Sequence, residues 1–118
     1  MKNYKLVLPE QLNHYGFLFG GHLLKWVDEV AYIAANIDFP GNDFVTISMD
    51  DVLFKHSIRN GDILCFTSRR KKLGNTSVSY CVRVSRESRE DDENIVLFET
   101  NITFVSVDKR GNKRPVIR

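Results

Sequence analysis

Residues 12–31, LNHYGFLFGGHLLKWVDEVA, place two adjacent glycines at the start of a strongly apolar segment that also carries an acid. Over residues 21–35 only Lys25, Glu29 and Tyr32 form a narrow polar stripe. A helix that is apolar nearly all round is expected to be enclosed by the rest of the fold rather than laid on its surface. The Pro-Gly-Asn run that follows predicts where this helix ends.

Around this helix the pattern changes to period two. Segments that alternate apolar and polar residues predict a short edge strand at 4–8 and long strands at 44–54, 62–73, 76–87 and 94–107. The short connections are typical of antiparallel hairpins, and the mixed-charge run RESREDDE at 86–93 is expected to be a solvated hairpin loop. One helix and five strands, without a repeat or a linker, predict a single α+β domain over residues 1–118, in which a twisted antiparallel sheet wraps one helix.

Composition excludes several classes of protein. The 118 residues are 42% hydrophobic and 27% charged, with a net charge of +2. No apolar run reaches the roughly 18 residues of a membrane span, and the first residues lack the apolar core of a signal peptide, so we expect a cytoplasmic protein. The basic runs lack interleaved aromatic residues, which argues against nucleic-acid binding. Cys65 and Cys81 lack metal-ligand spacing; we expect free buried thiols and no metal site.

Asp28 needs a physical reason for its position. It lies on the apolar side of the predicted helix, where an ionised carboxylate is costly unless it is compensated. Two interpretations stay open: an acid satisfied by neighbouring donors, and a catalytic carboxylate. Glu29 shares the polar stripe with Lys25 and is expected to be solvated.

The glycine pair also allows two interpretations. A helix N-terminus exposes unpaired backbone N–H groups and the positive end of the helix dipole, and Gly20 and Gly21 would let another molecule approach them closely enough to hold an oxyanion. Alternatively, the two glycines only make a tight entry turn. Asn13, in the loop ahead of them, would either orient a water molecule or cap the turn.

Taken in order, these residues resemble a known family. Asn13, Gly16, the Phe-Gly-Gly at 19–21 and Asp28 are similar to the N-x-x-G-x-x-F-G-G and helix-borne acid pattern of hotdog-fold acyl-CoA thioesterases. The similarity continues over nearly the whole chain through VTI at 45–47, Phe54, NGD at 60–62, LGNTS at 73–77 and TFVSVDKRGNKRP at 103–115.

The resemblance implies a hotdog fold, with a long central helix wrapped by a five-stranded antiparallel sheet. It further implies a homodimer, with a trimer of dimers as a larger assembly, and hydrolysis of acyl-CoA without metal or organic cofactor. The N–H of Gly21, aided by Gly20, would polarise the thioester carbonyl. Asp28 would activate water or attack directly to give a mixed anhydride, and Asn13 would position the water or the thioester.

The same resemblance places Asn75, Thr76 and Ser77 near the nucleotide or pantetheine of coenzyme A. Lys72 and Arg114 would supply positive charge for the phosphates, although solubility alone also explains such residues. The acyl chain cannot be read from one sequence, since pocket depth depends on how two protomers pack.

Two alternatives to hydrolysis stay open. One is a non-catalytic hotdog protein that binds acyl-CoA or assembles with a partner. The other is a hotdog thioester dehydratase, which would need a histidine at the helix entry paired with a helix acid; His14 and His22 are the candidates.

Overall fold

A computed structural model describes residues 1–87 and 95–118 of the chain. Its elements in chain order are β1 (Lys2–Leu6), a 3-10 turn (Pro9–Gln11), α1 (Gly20–Asp38), β2 (Asp43–Phe54), β3 (Ile63–Leu73), β4 (Ser77–Glu87) and β5 (Ile95–Val107). The predicted helix and five strands are confirmed, with ends shifted by one or two residues. The hairpin loop predicted at 86–93 lies largely outside the described residues.

The five strands form one antiparallel sheet in the order β1-β3-β4-β5-β2, which leaves β1 and β2 at its edges. Helix α1 packs across one face. The rings of Trp26 on α1 and Phe66 on β3 meet edge to face, 6.4 Å apart. Phe66, Phe98 and Phe104 are wholly buried, and replacing any one of them with alanine would cost about 3–5 kcal/mol of unfolding free energy.

Helix α1 ends where the sequence predicts. The N–H of Phe39 closes the last turn on the carbonyl of Ala35 at 2.9 Å, and Pro40 and Gly41 then turn the chain towards β2. The Tyr80 hydroxyl of β4 donates to Oδ2 of Asp38 at 2.6 Å. This bond ties the end of the helix to the centre of the sheet.

The prediction that the helix is enclosed is confirmed for most of its apolar side, where seven residues are buried: Leu23, Trp26, Val27, Val30, Ala31, Ala34 and Ala35. Ile33 and, beyond the predicted run, Ile37 are exposed, Ile37 by 60%, as is Tyr32 of the predicted polar stripe. The Tyr32 ring packs edge to face on Phe104, the β5 residue paired with Thr46, so this side of the helix looks towards the β2 edge. The five strands of one chain cover only part of the helix circumference. An apolar helix face predicts burial, but it does not show whether the same chain or a second copy covers that face.

The edge strand β2 pairs irregularly with β5 at two places. The register shifts between Thr46 and Ser48, and again between Asp50 and Leu53, where two β2 residues lie opposite the single residue Thr100. The Thr100 hydroxyl donates to the Asp50 carbonyl at 2.6 Å and holds the second bulge. Such bulges bend a strand and change which face its side chains occupy.

The second bulge determines the position of Phe54. Asp51, in the bulge, adopts φ 55, a left-handed conformation that aspartate tolerates better than most residues. Regular alternation would put Phe54 on the same face as Asp50, which is away from the helix. The extra residue reverses this. Phe54 instead lies on the helix side, opposite Phe98, with the two rings 5.1 Å apart.

Both cysteines are free thiols, as predicted; Cys65 is buried and Cys81 only half-buried. Partial burial, followed by the nearby Glu99 carboxylate, raises the pKa of the Cys81 thiol, which stays protonated at neutral pH. Across residues 1–87 and 95–118, no helix combines the length and apolarity that crossing a membrane requires.

Candidate active site

Asp28 is half-buried and is held from one side. The Thr46 hydroxyl of β2 donates to Oδ1 of Asp28 at 2.8 Å. In the described part of the chain, Oδ2 accepts no hydrogen bond. One carboxylate oxygen is therefore satisfied by a neighbouring donor and the other is left to accept a hydrogen bond or to react.

The start of α1 leaves two backbone donors uncommitted. Phe19 precedes the helix in an extended conformation and provides no side-chain cap. Its carbonyl accepts the N–H groups of His22 and Leu23 at 3.0 and 3.3 Å, whereas those of Gly20 and Gly21 donate to no group among the described residues. Gly21 is exposed, and a Cβ there would lie 2.9 Å from the Phe19 ring. Glycine thus keeps this pair of donors accessible.

Asn13 caps the turn ahead of the helix. Its Oδ1 accepts the N–H groups of Tyr15 and Phe17 at 2.9 and 3.2 Å, and its own N–H donates to the Phe17 carbonyl at 2.7 Å. Gly16, at φ 85, completes the turn. The amide NH2 group of Asn13 makes no hydrogen bond within residues 1–87 and 95–118, and no contact described there joins it to Asp28.

The turn between β3 and β4 is docked against the C-terminal segment. Ser106 joins them, because its N–H donates to the Thr76 carbonyl at 2.8 Å and its carbonyl accepts the N–H of Arg114 at 3.0 Å. The carbonyl of Asn75 accepts the N–H of Val116 at 2.9 Å. The structure thus brings the backbone of the C-terminal segment against the turn, while the Arg114 guanidinium donates to the Gly41 carbonyl at 3.5 Å.

Lys72 and Ser77 flank this turn. Lys72 is exposed near the end of β3, and half-buried Ser77 begins β4. The carbonyl of Ser77 accepts the N–H of Gly74 at 2.8 Å, which closes the turn. Among the described residues, no hydrogen bond links this group to Asp28 or to the helix start. The predicted site residues therefore form separate groups in one chain.

The histidines are not arranged as the dehydratase alternative needs. His22 packs between the rings of Phe19 and Trp26, at 6.1 and 6.4 Å, and His14 is exposed beside Tyr15. In the described ranges neither histidine contacts a carboxylate, and no group of three or more His, Cys, Asp or Glu side chains has the arrangement of a metal site.

Sequence reasoning missed the contact between Thr46 and Asp28. Thr46 lies within the VTI motif, but the contact that matters joins two residues 18 positions apart on different elements. The sequence offered only an indirect signal. Thr46 is a hydroxyl residue at a helix-facing position of β2, and Asp28 is the one acid on the apolar side of α1.

One long helix packed on an antiparallel sheet in the order β1-β3-β4-β5-β2, with an acid on the helix, is the hotdog arrangement. Residues 15–93 match the Thioesterase superfamily. The chain belongs to this family.

Individual relatives agree with the assignment. An uncharacterized acyl-CoA thioester hydrolase of Bacillus subtilis is 33% identical over 112 residues, which cover 95% of this chain and 64% of that protein. A hexameric hotdog fold thioesterase of Campylobacter jejuni is 34% identical, with a TM-score of 0.83 over 97% of this chain and 87% of that one. An acyl-CoA hydrolase of Staphylococcus aureus in complex with butyryl coenzyme A, coenzyme A and coenzyme A disulfide is 29% identical, with a TM-score of 0.89 over 99% and 71% of the two chains. The chain thus spans less than two thirds of the length of the B. subtilis relative.

Proposed function

We propose that this protein hydrolyses acyl-CoA thioesters to a carboxylic acid and coenzyme A. The observation that carries the proposal is the half-buried Asp28, whose Oδ1 is held by Thr46 at 2.8 Å while Oδ2 stays unengaged in the described part of the chain. This acid lies on the helix that also begins with two uncapped glycines. A positioned carboxylate and free N–H donors are the two elements that acyl transfer to water requires.

In this mechanism Oδ2 of Asp28 is the reacting oxygen. It either takes a proton from an attacking water or attacks the thioester carbonyl itself. Thr46 fixes the carboxylate plane in both routes. Single turnover in ¹⁸O-labelled water tests the covalent route. If water opens the anhydride at the Asp28 carbonyl, the label enters the Asp28 side chain, whereas the general-base route places it only in the released acid.

The N–H of Gly21, with that of Gly20, stabilises the negative charge that develops on the carbonyl oxygen, at the positive end of the helix dipole. Asn13 uses Oδ1 to hold its own loop and presents its NH2 group to the thioester or to water. Glycine at position 21 is needed since a side chain would push against Phe19.

The active site is shared by two chains. Gly21 and Asp28 are seven residues apart, about 10 Å along the axis of α1. A carbonyl must lie about 3 Å from its oxyanion donor and about 3.5 Å from the attacking group, so one helix spans that gap poorly. In a two-fold dimer, Gly21 of one chain faces Asp28 of the other.

The exposed strip of α1 and the β2 edge favour such a dimer. Ile33 and Ile37 on the helix and Val45 and Ile47 on β2 are exposed apolar side chains. A second copy placed along β2 would cover them and continue the sheet. The C. jejuni thioesterase is hexameric, and we propose the same assembly here, as a trimer of dimers. Light scattering should show it, and Ile37→Glu should shift it towards monomer.

Coenzyme A binds at the β3–β4 turn. The turn amides and the side chains of Asn75, Thr76 and Ser77 face its polar groups, while Lys72 and Arg114 attract its phosphates. The support is the docking of the C-terminal segment, in which Val116, two residues after Arg114, donates its N–H to the Asn75 carbonyl of this turn. Within one chain no described hydrogen bond links this turn to Asp28. A coenzyme A thioester bound at the turn would therefore have to extend from the turn to the carboxylate of Asp28.

The test is release of coenzyme A measured with a thiol reagent. Asp28→Asn should lower kcat at least ~10²-fold in a folded protein, since it removes the base or nucleophile. Glu29→Gln, at the exposed acid next to it, is the matched control and should change kcat little. A wild-type protein that binds acyl-CoA without freeing thiol would be the non-catalytic binder instead.

A further inference from the structure

Asn42, in the turn that follows α1, is a buried polar residue whose side chain uses every hydrogen-bonding position it has. Its exposed fraction is 6%. Its Nδ2 donates to the carbonyls of Phe39 and Ile117, both at 2.9 Å. Its Oδ1 accepts the N–H of Ile117 at 2.8 Å and the Ser106 hydroxyl at 3.2 Å. An asparagine amide offers two donors and two acceptor sites, so all of them are engaged within the chain.

The contact with Ile117 fixes the C-terminal segment. The Asn42 amide accepts the Ile117 N–H and donates to the Ile117 carbonyl, so it holds this residue as a neighbouring strand would. Only one orientation of the amide satisfies both groups, because a peptide N–H can only donate and a carbonyl can only accept. A buried polar network that is fully satisfied specifies a single arrangement of the chain.

The same network reaches the β3–β4 turn by two short routes. Val116, the next residue back along the segment, donates its N–H to the Asn75 carbonyl of the turn at 2.9 Å. Ser106 provides the second route, since its hydroxyl donates to Asn42 while its N–H donates to the Thr76 carbonyl at 2.8 Å. Asn42 therefore supports both the segment and the turn that lies against it.

We propose that Asn42 is a positioning residue for coenzyme A: it fixes the segment against which the β3–β4 turn rests and thereby sets the affinity of this turn for the substrate. The inference rests on the proposed thioesterase function, and in particular on the placement of coenzyme A at the turn. A turn that is tethered beforehand loses less conformational freedom when it binds a ligand. The effect should therefore appear in substrate binding and leave the chemistry at Asp28 unchanged.

The experiment compares butyryl-CoA with S-butyryl-N-acetylcysteamine, which keeps the thioester but lacks the nucleotide and most of the pantetheine. Asn42→Ala should raise KM for butyryl-CoA about twofold to thirtyfold, the range over which packed networks alter a separate site, with little change in kcat. Its kcat/KM for the truncated thioester should equal that of wild type. Tyr80→Phe removes a different buried hydrogen bond at the end of α1 and should lower stability without changing KM.

Ile117→Pro cuts the same connection from the other side, because proline lacks the N–H that Asn42 accepts. Ile117 is 47% exposed, so this variant spares the core and tests the inference independently of whether Asn42→Ala folds. It should raise KM for butyryl-CoA in the same way, and the double variant should raise it little further. Ile117→Ala, which keeps the N–H, is the matched control and should keep the wild-type KM.

The results that would overturn the inference are distinguishable. If Lys72→Ala raises KM for butyryl-CoA but folded Asn42→Ala and Ile117→Pro do not, Asn42 contributes to stability alone and the proposed function stands. An equal fall in kcat/KM for the truncated thioester leads to the same conclusion. If KM is unchanged in all three variants, coenzyme A binds elsewhere. If wild type frees no thiol from either substrate, the proposed function fails and this inference fails with it.

Discussion

Mixing two inactive variants, Asp28→Asn and Gly21→Pro, should restore activity if each site uses groups from both chains. The first variant lacks the carboxylate and keeps the helix N–H; the second lacks the N–H and keeps the carboxylate. Proline is accepted in the first turn of a helix, and position 21 is the second residue of α1. In a mixed dimer, one of the two sites combines the intact Gly21 of one chain with the intact Asp28 of the other.

The size of the recovery follows from the geometry. Random exchange of equal amounts makes half of the dimers mixed, and each has one intact site of two, so activity should return to about a quarter of wild type. If the site instead lay within one chain, every chain in the mixture would carry a defect. Activity would then stay at the level of the variants. The roughly 10 Å between Gly21 and Asp28 along the helix axis favours the first outcome.

The assay is thiol release during subunit exchange, with exchange followed independently by mass spectrometry of chains labelled with different isotopes. Gly21→Ala serves as the steric control, because it meets the Phe19 ring as proline does but keeps the N–H. It should therefore retain more activity than Gly21→Pro. Complete exchange without recovery would refute the shared site.

Three further predictions concern single side chains. Thr46→Val should lower kcat about tenfold to a hundredfold, because it removes the hydroxyl that donates to Asp28. Thr46→Ser keeps a hydroxyl, and its kcat should stay near wild type. Equal losses of kcat in both variants would refute an orienting role. KM for acyl-CoA should rise with little change in kcat in Lys72→Ala and in Arg114→Ala, and added salt should reduce the difference in KM from wild type. Unchanged KM and kcat in both variants would assign these residues to solubility. Burial, followed by a hydrogen bond to a carboxylate, raises the pKa of Tyr80 above its usual value near 10. The contribution of the neutral Tyr80 hydroxyl to stability is therefore full below about pH 10 and is lost as the pH rises further. The free energy of unfolding in urea should therefore depend less on pH above about 10 in Tyr80→Phe than in wild type. The same pH dependence in both proteins would contradict this prediction.

The elements of this fold were readable because local patterns specify them. The apolar run from Gly20 and the Pro-Gly-Asn that follows Asp38 determine where α1 begins and ends. Alternation over ten or more residues identified β2 to β5, since a strand with one buried face needs that period. The resemblance of the ordered motifs, rather than any single residue, indicated the family.

Contacts between elements were not readable. The bond from Thr46 to Asp28 depends on how β2 crosses the helix, and no local pattern encodes that crossing. Counting alternation from Asp50 would place Phe54 on the wrong face, because the extra residue at Asp51 has no signature in a single sequence. The open side of the helix was missed for a related reason: Ile37 is apolar whether its own chain or another one covers it.

The two bulges of β2 also bear on misassembly. An exposed edge strand presents unpaired N–H and C=O groups that can recruit strands from unrelated proteins and begin aggregation. In β2 the shifts near Ile47 and Asp51 bend this row of groups. A flat foreign strand can therefore follow it for only a few residues. In the proposed dimer the partner strand carries the same bends, which would favour recognition of self over promiscuous strand addition.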